Sequence, residues 1–247
     1  MNPKKSERLV VKYDDWHRTQ HSAGSGTELF LSQWHIDAMK LAPPLGDTAV
    51  LEVGCGAGDF ALYLSSQARA VTAVDFSPAA IGIAQEKGTA RKANVDFQVA
   101  DAQALPFTDA VFDVVFSCEC LEHLPNPQQG LREMCRVLKP GGQLLLTTEN
   151  YANAMIIYWM MAWLSGKPFN SGAGVQPIEN FFLFWRVKRL MAIAGFQVER
   201  MIGAHHVFLV IPGCHPHLFV RERFRTKALA GLFSPIARHT SFKAVKK

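Results

Sequence analysis

A glycine-rich turn between a predicted strand and a predicted helix constrains the fold of this chain more than any other feature. The mostly apolar run 50–53 leads into three glycines that stand two residues apart, Gly54, Gly56 and Gly58. Glycine lets the backbone bend sharply and lets a ligand approach the main chain closely. The helix that follows offers free backbone N–H groups to a polar ligand. This pattern predicts a strand–turn–helix unit with a ligand-binding loop at its centre.

Strands and helices alternate along the chain on both sides of that turn. The predicted strands are 50–53, 70–74, 95–99, 111–116, 143–148, 197–202 and 206–211, and the predicted helices are 14–42, 60–66, 78–90, 127–138 and 184–194. Pro43 and Pro44 end the first helix, Asn126 is the expected N-cap of helix 127–138, and 139–142 is a predicted turn. This alternation predicts an α/β fold with a doubly wound, mostly parallel sheet.

One domain can accommodate the whole chain. Its 247 residues are 49% hydrophobic, which is enough for one sizeable core. Within that single domain we predict five regions. They are a helical cover over 1–46, a core over 47–150, an inserted lid over 151–180, a closing helix and strands over 181–213, and a basic tail over 214–247.

The charge is unevenly distributed. The formal net charge is +5 for the chain, +3 for residues 1–13 and +7 for residues 214–247, which leaves −5 for residues 14–213. The acidic body of the chain argues against a nucleic-acid partner. Arginines interleaved with Phe219, Phe224 and Phe233 instead predict weak association of the tail with an anionic membrane surface, and a solvated tail is the alternative. Nothing in the sequence indicates the oligomeric state.

The cysteine content and the hydropathy of the sequence indicate the cellular compartment of the protein. The five cysteines form no CxxC pair, which argues against a disulfide framework or a zinc cluster and suits a reducing compartment. No apolar stretch follows the first charges, so we expect no signal peptide. The longest apolar run, 155–164, is about half of what a bilayer-spanning helix requires. We therefore expect a cytoplasmic protein whose only contact with a membrane would be peripheral.

Three acidic residues follow three successive predicted strands. Glu52 would repel a pyrophosphate but suits a cationic ligand, and Asp75 can accept hydrogen bonds from both hydroxyls of a ribose. Asp101 is placed to accept a hydrogen bond from an adenine amino group. The third glycine comes one residue earlier than in the dinucleotide-binding pattern. Together with Glu52, this spacing argues against an NAD-dependent oxidoreductase.

Five stretches that contain these residues resemble the class I S-adenosylmethionine-dependent methyltransferases. They are 50–58, 73–77, 99–107, 112–127 and 136–148, and the segments 121–127 and 137–142 are especially specific. The resemblance implies a Rossmann-like doubly wound sheet and S-adenosyl-L-methionine as the cofactor. That cofactor carries positive charge and no phosphate, which agrees with an acidic pocket.

The resemblance also implies roles for individual residues. The backbone at Gly54, Cys55, Gly56 and Gly58 would cradle the methionine part of the cofactor, with Glu52 beside it; Asp75 would hold the ribose, next to Phe76; Asp101 and Ala102 would meet the adenine; and Cys118 would lie near the sulfonium.

Glu119, Glu122 and His123 are the candidate residues on the acceptor side. On a helix their spacing would bring the three side chains together, and two carboxylates with an imidazole can hold Mg²⁺. Such a metal would hold an acceptor hydroxyl as its anion. The spacing resembles that of metal-assisted ubiquinone-biosynthesis O-methyltransferases and small-RNA 2′-O-methyltransferases. A resemblance of 203–206 to the bacterial ubiquinone enzymes adds His205, or else His206, as a further ligand.

Two alternatives to the metal site remain open. His123, with Glu122 beside it, can act as a metal-free general base, because the ordinary pKa of an imidazole lies near neutrality. The Glu-His pair can also simply shape the cofactor loop, as it does in methyltransferases that use no metal.

The sequence thus predicts methyl transfer to an oxygen of a small, largely apolar or aromatic metabolite that binds beneath the lid. Tyr158, Trp159, Met160, Met161 and Trp163 are candidates for an acceptor pocket, or else form ordinary helix core. The alternatives are a metal-independent N- or C-methyltransferase on the same scaffold and a non-catalytic S-adenosylmethionine-binding partner protein.

Overall fold

The computed structural model describes residues 3–21, 29–152, 160, 163–166, 177–178, 180–207, 220–221 and 234–247. In this part of the chain the helices are α1 Pro3–His21, α2 Gln33–Leu41, α3 Asp59–Leu64, α4 Pro78–Arg91, α5 Pro127–Val137 and α6 Phe184–Ile193. The strands are β1 Ala49–Val53, β2 Ala70–Asp75, β3 Val95–Val99, β4 Phe112–Cys118, β5 Leu138–Glu149, β6 Phe196–Val207, β7 Val220–Arg221 and β8 Ala237–Lys246. Two short 3-10 helices cover Leu121–His123 and Ser234–Ile236.

The strands form one sheet in the order β3-β2-β1-β4-β5-β8-β6-β7. Strands β1 to β5 run parallel to one another. Strand β8 runs antiparallel to both β5 and β6, between which it lies. This arrangement confirms the predicted α/β class and the doubly wound, mostly parallel sheet.

Apolar side chains cover both faces of the sheet, as a parallel sheet requires. Successive residues of β1 alternate between two cores: Val50 packs on the side of α2, α3 and α4, whereas Leu51 packs on the side of α5 and α6. Phe60 of α3 and Leu131 of α5 are fully buried on these opposite sides. The two cores hold the ends of the strands rigidly in place.

The carboxyl ends of β1, β2, β4 and β5 meet at one edge of the sheet. Val53, Asp75, Cys118 and Glu149 are the last residues of these four strands. Because β8 is antiparallel, its first residues, near Ala237, come to the same edge. Ligands of open α/β sheets bind outside such an edge.

The single helix predicted over 14–42 was wrong, because the structure has two separate helices there. Helix α1 ends at His21 and α2 begins at Gln33, while 22–28 lie outside the described residues. Ser32 is the N-cap of α2, and its backbone N–H donates to Nδ1 of His35 over 3.2 Å. The apolar positions alone did not reveal this second start. The predicted end before Pro43 is confirmed, since α2 stops at Leu41.

Two other predicted boundaries were also wrong. The turn predicted at 139–142 lies inside β5 as an irregularity, where the pairing with β4 jumps from Phe112–Leu138 to Val114–Gln143. The separate strands predicted at 197–202 and 206–211 begin as one strand, β6, which continues to Val207. Residues 208–211 lie outside the described part of the chain.

The basic tail predicted over 214–247 contains a central strand of the sheet, so it is not a free tail throughout. Within β8, Arg238 pairs with Glu149, and Nζ of Lys246 donates to the backbone carbonyl of Leu138 over 2.7 Å. Lys243 lies 3.4 Å from a carboxylate oxygen of Glu199. Sequence hydropathy missed β8 because several of its buried residues are polar. Among the described residues, no helix is long and apolar enough to cross a membrane.

Candidate functional site

The glycine turn after β1 has the conformation that only glycine adopts readily. Gly54, Gly56 and Gly58 have φ angles of 81°, 50° and 81°. A Cβ atom at Gly54 would lie 2.6 Å from both Cβ and Sγ of Cys120, and one at Gly58 would lie 2.7 Å from Cβ of Ala84. We call this turn, 54–58, the glycine cradle; substitution of Gly54 or Gly58 would overlap Cys120 or Ala84 and strain the backbone.

Asp75 ends β2 directly beside this cradle, and its carboxylate is held by two backbone groups. Oδ2 accepts from the N–H of Gly56 over 2.9 Å, and Oδ1 accepts from the N–H of Ser77 over 2.9 Å. Phe76, between them in sequence, is half-buried. The orientation of the carboxylate is thus fixed before any ligand binds.

Asp101 follows β3 and closes a tight turn. Its Oδ1 accepts from the backbone N–H of Gln103 over 2.9 Å and from Nε2 of the same residue over 3.0 Å. Ala102 is buried beneath this turn. The structure therefore brings the three predicted acids to the ends of three neighbouring parallel strands, as the sequence indicated.

Glu52 is nearly inaccessible, with 2% of its surface exposed, and Oε2 has no hydrogen-bond partner among the described residues. Burial, with the nearby charges of Asp75 and Asp59, raises the pKa of Glu52 to about 8. A buried acid in this state can become ionised when a cation lies close to it.

A second cluster of polar side chains lies where β4 and β5 end and β8 begins. The ligand-type atoms of Glu119, Glu149 and His239 all lie within 4.8 Å of one another. Nδ1 of His239 is 3.1 Å from Oε2 of Glu119. Glu149 also accepts from Nη2 of Arg238 over 2.9 Å and from the hydroxyl of Tyr151 over 2.6 Å. The cluster thus combines three strands in one buried network.

Two carboxyl groups of this region favour the neutral form. Burial and the charge of Glu149 raise the pKa of Glu119 to about 8, and burial and the charge of Glu119 raise the pKa of Glu122 to about 8. Glu122 accepts from Oγ1 of Thr148 over 2.9 Å. Glu119 has a positive φ of 49°, which a residue with a side chain adopts only when its surroundings hold it there.

His123 lies in the 3-10 helix after β4, and its ring is held in one orientation. Nδ1 is 2.8 Å from the carbonyl oxygen of Ile178. A carbonyl only accepts, so Nδ1 carries the proton in this contact, and Nε2 is the nitrogen that accepts a proton when the ring is neutral. Asn180 supports the turn by donating from its backbone N–H and from Nδ2 to the carbonyl of Glu122, over 2.7 and 2.9 Å.

Comparison with known proteins agrees with this geometry. A family model described as a methyltransferase domain matches residues 51–146. A SAM-dependent methyltransferase from Methanosarcina mazei has the same fold, with a TM-score of 0.62 at 20% identity over 88% of this chain and 99% of that one. The demethylmenaquinone methyltransferase of Thermus thermophilus is 37% identical over 198 residues, which cover 74% of this chain and 90% of that protein. This chain is a SAM-dependent methyltransferase.

Other relatives match this methyltransferase over a shorter region. A demethylmenaquinone methyltransferase of Shouchella clausii is 37% identical over 45% of this chain, and a ubiquinone biosynthesis O-methyltransferase of Coxiella burnetii is 35% identical over 41% of it. The chain spans about half of the length of these two relatives, 49% and 43%.

The residues of this methyltransferase fit S-adenosylmethionine. The glycine cradle has three positive φ angles that allow a ligand to approach the main chain closely, Asp75 is pre-oriented beside it, and Glu52 supplies a buried acid with an unpaired oxygen. When bound, the cofactor supplies a methyl group on a positively charged sulfur. The structure gathers the predicted cofactor residues at one edge, and the contact that each makes stays a prediction. They are Glu52, Gly54, Cys55, Gly56, Gly58, Asp75, Phe76, Asp101, Ala102 and Cys118.

The predicted Mg²⁺ site of Glu119, Glu122, His123 and His205 stays a prediction. The segment from Leu121 to His123 is a single 3-10 turn and not an α-helix, so helical spacing does not bring these side chains together, although the carboxyl groups of Glu119 and Glu122 are hydrogen-bonded to each other. Nδ1 of His123 contacts the carbonyl of Ile178, and the side chain of His205 lies outside the described part of the structure. Glu119 instead meets Glu149 and His239, and we derive no step through a metal.

Glu149, Arg238 and His239 belong to the site but were not predicted from the sequence. Glu149 could have been found, because it directly follows a strong predicted strand, as Asp75 does. Arg238 and His239 carried no such signal, since their strand was not recognised.

The cofactor-free methyltransferase should lose stability as the pH rises from about 6.5 to about 8. Burial raises the pKa values of Glu52, Glu119 and Glu122 to about 8, so the unfolded chain releases these protons first. Stability that is present below the ordinary glutamate pKa is therefore lost as the pH approaches 8. His35 and His239, whose pKa values burial lowers to about 4, act in the opposite sense only below about 6.5.

One such carboxyl contributes on the order of 2 kcal/mol across this interval. Thermal melting from pH 6 to 8.5 would measure the loss, and Glu52→Gln should make the curve flatter. Glu86→Gln, at an exposed position on α4, is the matched control and should leave the slope unchanged. Stability that rises with pH over this range would contradict the assignment.

Proposed function

We propose that this methyltransferase transfers the methyl group to a hydroxyl oxygen of a small aromatic acceptor of the quinone-precursor type. The observation that carries the proposal is the orientation of His123, whose Nδ1 contacts a carbonyl so that Nε2 is the basic nitrogen. The names of the relatives support the acceptor class, since they act in menaquinone and ubiquinone synthesis.

The main chemical task of the protein is to remove the proton of the acceptor hydroxyl. A phenolic hydroxyl has an ordinary pKa near 10 and becomes a much better nucleophile as it loses its proton. In the proposal, Nε2 of His123 takes that proton while the bond from oxygen to the methyl carbon forms and the bond from sulfur breaks. The contact with the carbonyl of Ile178 supports the resulting imidazolium, because Nδ1 remains a donor.

Glu122 is less suited than His123 to act as the base. Its carboxyl is 2% exposed, and its pKa is raised to about 8, so it is largely protonated near neutral pH. The hydrogen bond that Glu122 accepts from Oγ1 of Thr148 instead connects the 3-10 turn to β5. We assign Glu122 a positioning role next to His123.

Aromatic side chains near the lid fit an aromatic acceptor. The rings of Tyr151 and Phe181 stack with centroids 4.5 Å apart. Of the residues predicted to form the acceptor pocket, Met160 and Trp163 are 48% and 70% exposed. Tyr158, Trp159 and Met161 lie outside the described residues. The acceptor pocket therefore remains a proposal that involves both the start of the lid and the segment after it.

Weak contact with an anionic membrane surface is part of the proposal, because a quinone precursor with a long apolar tail would reside there. Helix α6 contributes Trp185 and Ile193, which are 53% and 55% exposed, with Arg186 and Arg189 on the same exposed face. The combination is typical of interfacial helices. Equal recovery of the protein with anionic and with neutral vesicles would contradict this part.

The experiment that tests the function has a binding arm and a turnover arm. Calorimetric titration with S-adenosylhomocysteine should give micromolar affinity, and phenols or catechols should then be methylated in the presence of EDTA. Mass spectrometry and NMR of the product would identify the methylated atom. Methylation at nitrogen or carbon, or turnover that stops with EDTA and returns with Mg²⁺, would overturn the proposed metal-free oxygen transfer. Binding without turnover on any acceptor would favour a non-catalytic partner protein.

A further inference from the structure

Helix α1 presents one face to the cofactor edge of the sheet. His17 is 7% exposed, and Tyr13 and Trp16 are partly buried on the same face. Asp15 and Arg18 point the other way, with side chains that are 71% and 67% exposed. Such a division between two faces shows that α1 packs against the rest of the protein on one side and faces solvent on the other.

Asp14 ties α1 to the residues that directly follow Asp75. Its Oδ1 accepts from Oγ of Ser77 and, over 3.2 Å, from the backbone N–H of Ala79. Ser77 is itself the N-cap of α4 and accepts from the N–H of Ala80 over 3.1 Å. A carboxylate at a helix N-terminus is favoured by the free N–H groups and by the helix dipole. Asp14 therefore acts as a latch between the two helices.

His17 covers the cradle itself. A Cβ atom built at Gly56 would lie 3.5 Å from Cε1 of His17, so the ring rests against that glycine. Gly56 donates its N–H to Asp75, which is where the ribose is expected. Burial lowers the pKa of His17, although the charges of Asp75 and Asp14 oppose that change. A neutral imidazole that can donate or accept a hydrogen bond thus faces this part of the cofactor site.

Tyr13 extends the same face toward the acceptor side. Its hydroxyl is buried, and burial with the nearby Cys120, Asp75 and Glu122 raises its pKa well above the ordinary value. The hydroxyl thus remains protonated. It can donate a hydrogen bond to a ligand that lies between Asp75, the predicted ribose acid, and the 3-10 turn that contains Glu122. His17 and Asp14 thus cover the turn at Gly56 and the start of α4 at Ser77, with Tyr13 on the same face of α1.

We propose that α1 forms the outer wall of the cofactor site, with Asp14 as the latch that holds it closed and with Tyr13 and His17 as residues that contact the bound cofactor. The inference rests on S-adenosylmethionine being the cofactor, but not on any particular acceptor. A ligand that reaches Asp75 from the side of α1 has to displace this helix. The rate of cofactor release therefore depends on how firmly Asp14 holds Ser77 and Ala79.

Asp14→Ala and Asp15→Ala form a matched pair, since they remove neighbouring carboxylates from opposite faces of one helix. We expect Asp14→Ala to raise the Kd for S-adenosylhomocysteine about tenfold, mainly through faster dissociation, and Asp15→Ala to leave it unchanged. Stopped-flow and calorimetric measurements would give the two constants. His17→Ala should weaken binding by a similar factor, because it removes a contact and leaves the latch in place.

Hydrogen exchange of the wild-type protein gives a readout that does not depend on any substitution. Amides of α1 should become more protected when S-adenosylhomocysteine binds, whereas those of α5 should change little. Unchanged α1 exchange, or wild-type affinity and dissociation in both Asp14→Ala and His17→Ala, would overturn the proposal. If Asp14→Ala fails to fold, His17→Ala and the exchange experiment still test whether α1 forms the wall of the cofactor site. Wild-type protein that binds the cofactor product but methylates no acceptor would refute the proposed function and leave this inference intact.

Discussion

Gly54→Ala should weaken binding of S-adenosylhomocysteine by at least about 30-fold. The left-handed φ of 81° costs a non-glycine residue about 1–2 kcal/mol. The added Cβ would also lie 2.6 Å from Cβ and Sγ of Cys120, and relief of such an overlap costs about 1–3 kcal/mol. The loop can relieve both only by leaving the cradle conformation, so the loss should appear in cofactor affinity, measured by calorimetry.

Gly141→Ala is the matched control for this substitution. Gly141 has a similar φ of 74°, but no atom lies within 4 Å of the position of its added Cβ. The control should therefore lower thermal stability by the backbone cost alone and leave the affinity unchanged. Addition of Cys120→Gly to Gly54→Ala should restore part of the binding, because it removes the overlap and not the backbone strain. Wild-type affinity in Gly54→Ala would show that the turn is only structural.

His123→Gln should lower kcat by roughly 100- to 10,000-fold with the affinity for S-adenosylhomocysteine nearly unchanged. Glutamine can keep a donor for the carbonyl of Ile178, but it supplies no basic nitrogen for the acceptor proton. The loss should therefore fall on the chemical step. Single-turnover methyl transfer to whichever phenol the wild-type protein accepts is the measurement.

The pH profile separates loss of a base from loss of structure. Wild-type kcat/KM should rise with pH, since a base has to take the acceptor proton, and His123→Gln should lose that limb of the profile. A variant that is damaged only in structure would keep the limb at a lower rate. Asn180→Ala, which removes the side-chain support of the turn, serves as that structural comparison. An unchanged rate in His123→Gln would exclude His123 as the base.

The cofactor half of the site could be predicted because its signals are local. The turn from Gly54 to Gly58 lies between a strand and a helix that are adjacent in sequence, and parallel strands necessarily bring Asp75 and Asp101 to the same edge. Asn126 at the start of α5 was likewise readable, since it caps the backbone N–H of Gln129, three residues further on. Each of these features depends on neighbours within a few residues.

The acceptor half could not be predicted, because it depends on pairing between distant strands. Glu119, Glu149 and His239 meet only when β4, β5 and β8 lie side by side. Helical spacing does not apply to the segment after Glu119, because the backbone there takes a positive φ and then a single 3-10 turn. The helix predicted over 14–42 fails for a related reason, since α1 packs against α4 whereas α2 packs against β8 and β5.

The position of β8 has a consequence for how the chain is made. Strand β5 ends at Glu149 and its antiparallel neighbour begins at Ala237, so the whole lid, α6, β6 and β7 are synthesised in between. Throughout that interval the nascent chain carries β5 as an open edge whose backbone groups can pair with any other extended peptide. The Arg238–Glu149 pair also forms only when β8 arrives, which leaves the buried carboxylate of Glu149 without that partner until then. Late insertion of one strand thus leaves the half-made protein with an unpaired strand edge, which favours aggregation until β8 is in place.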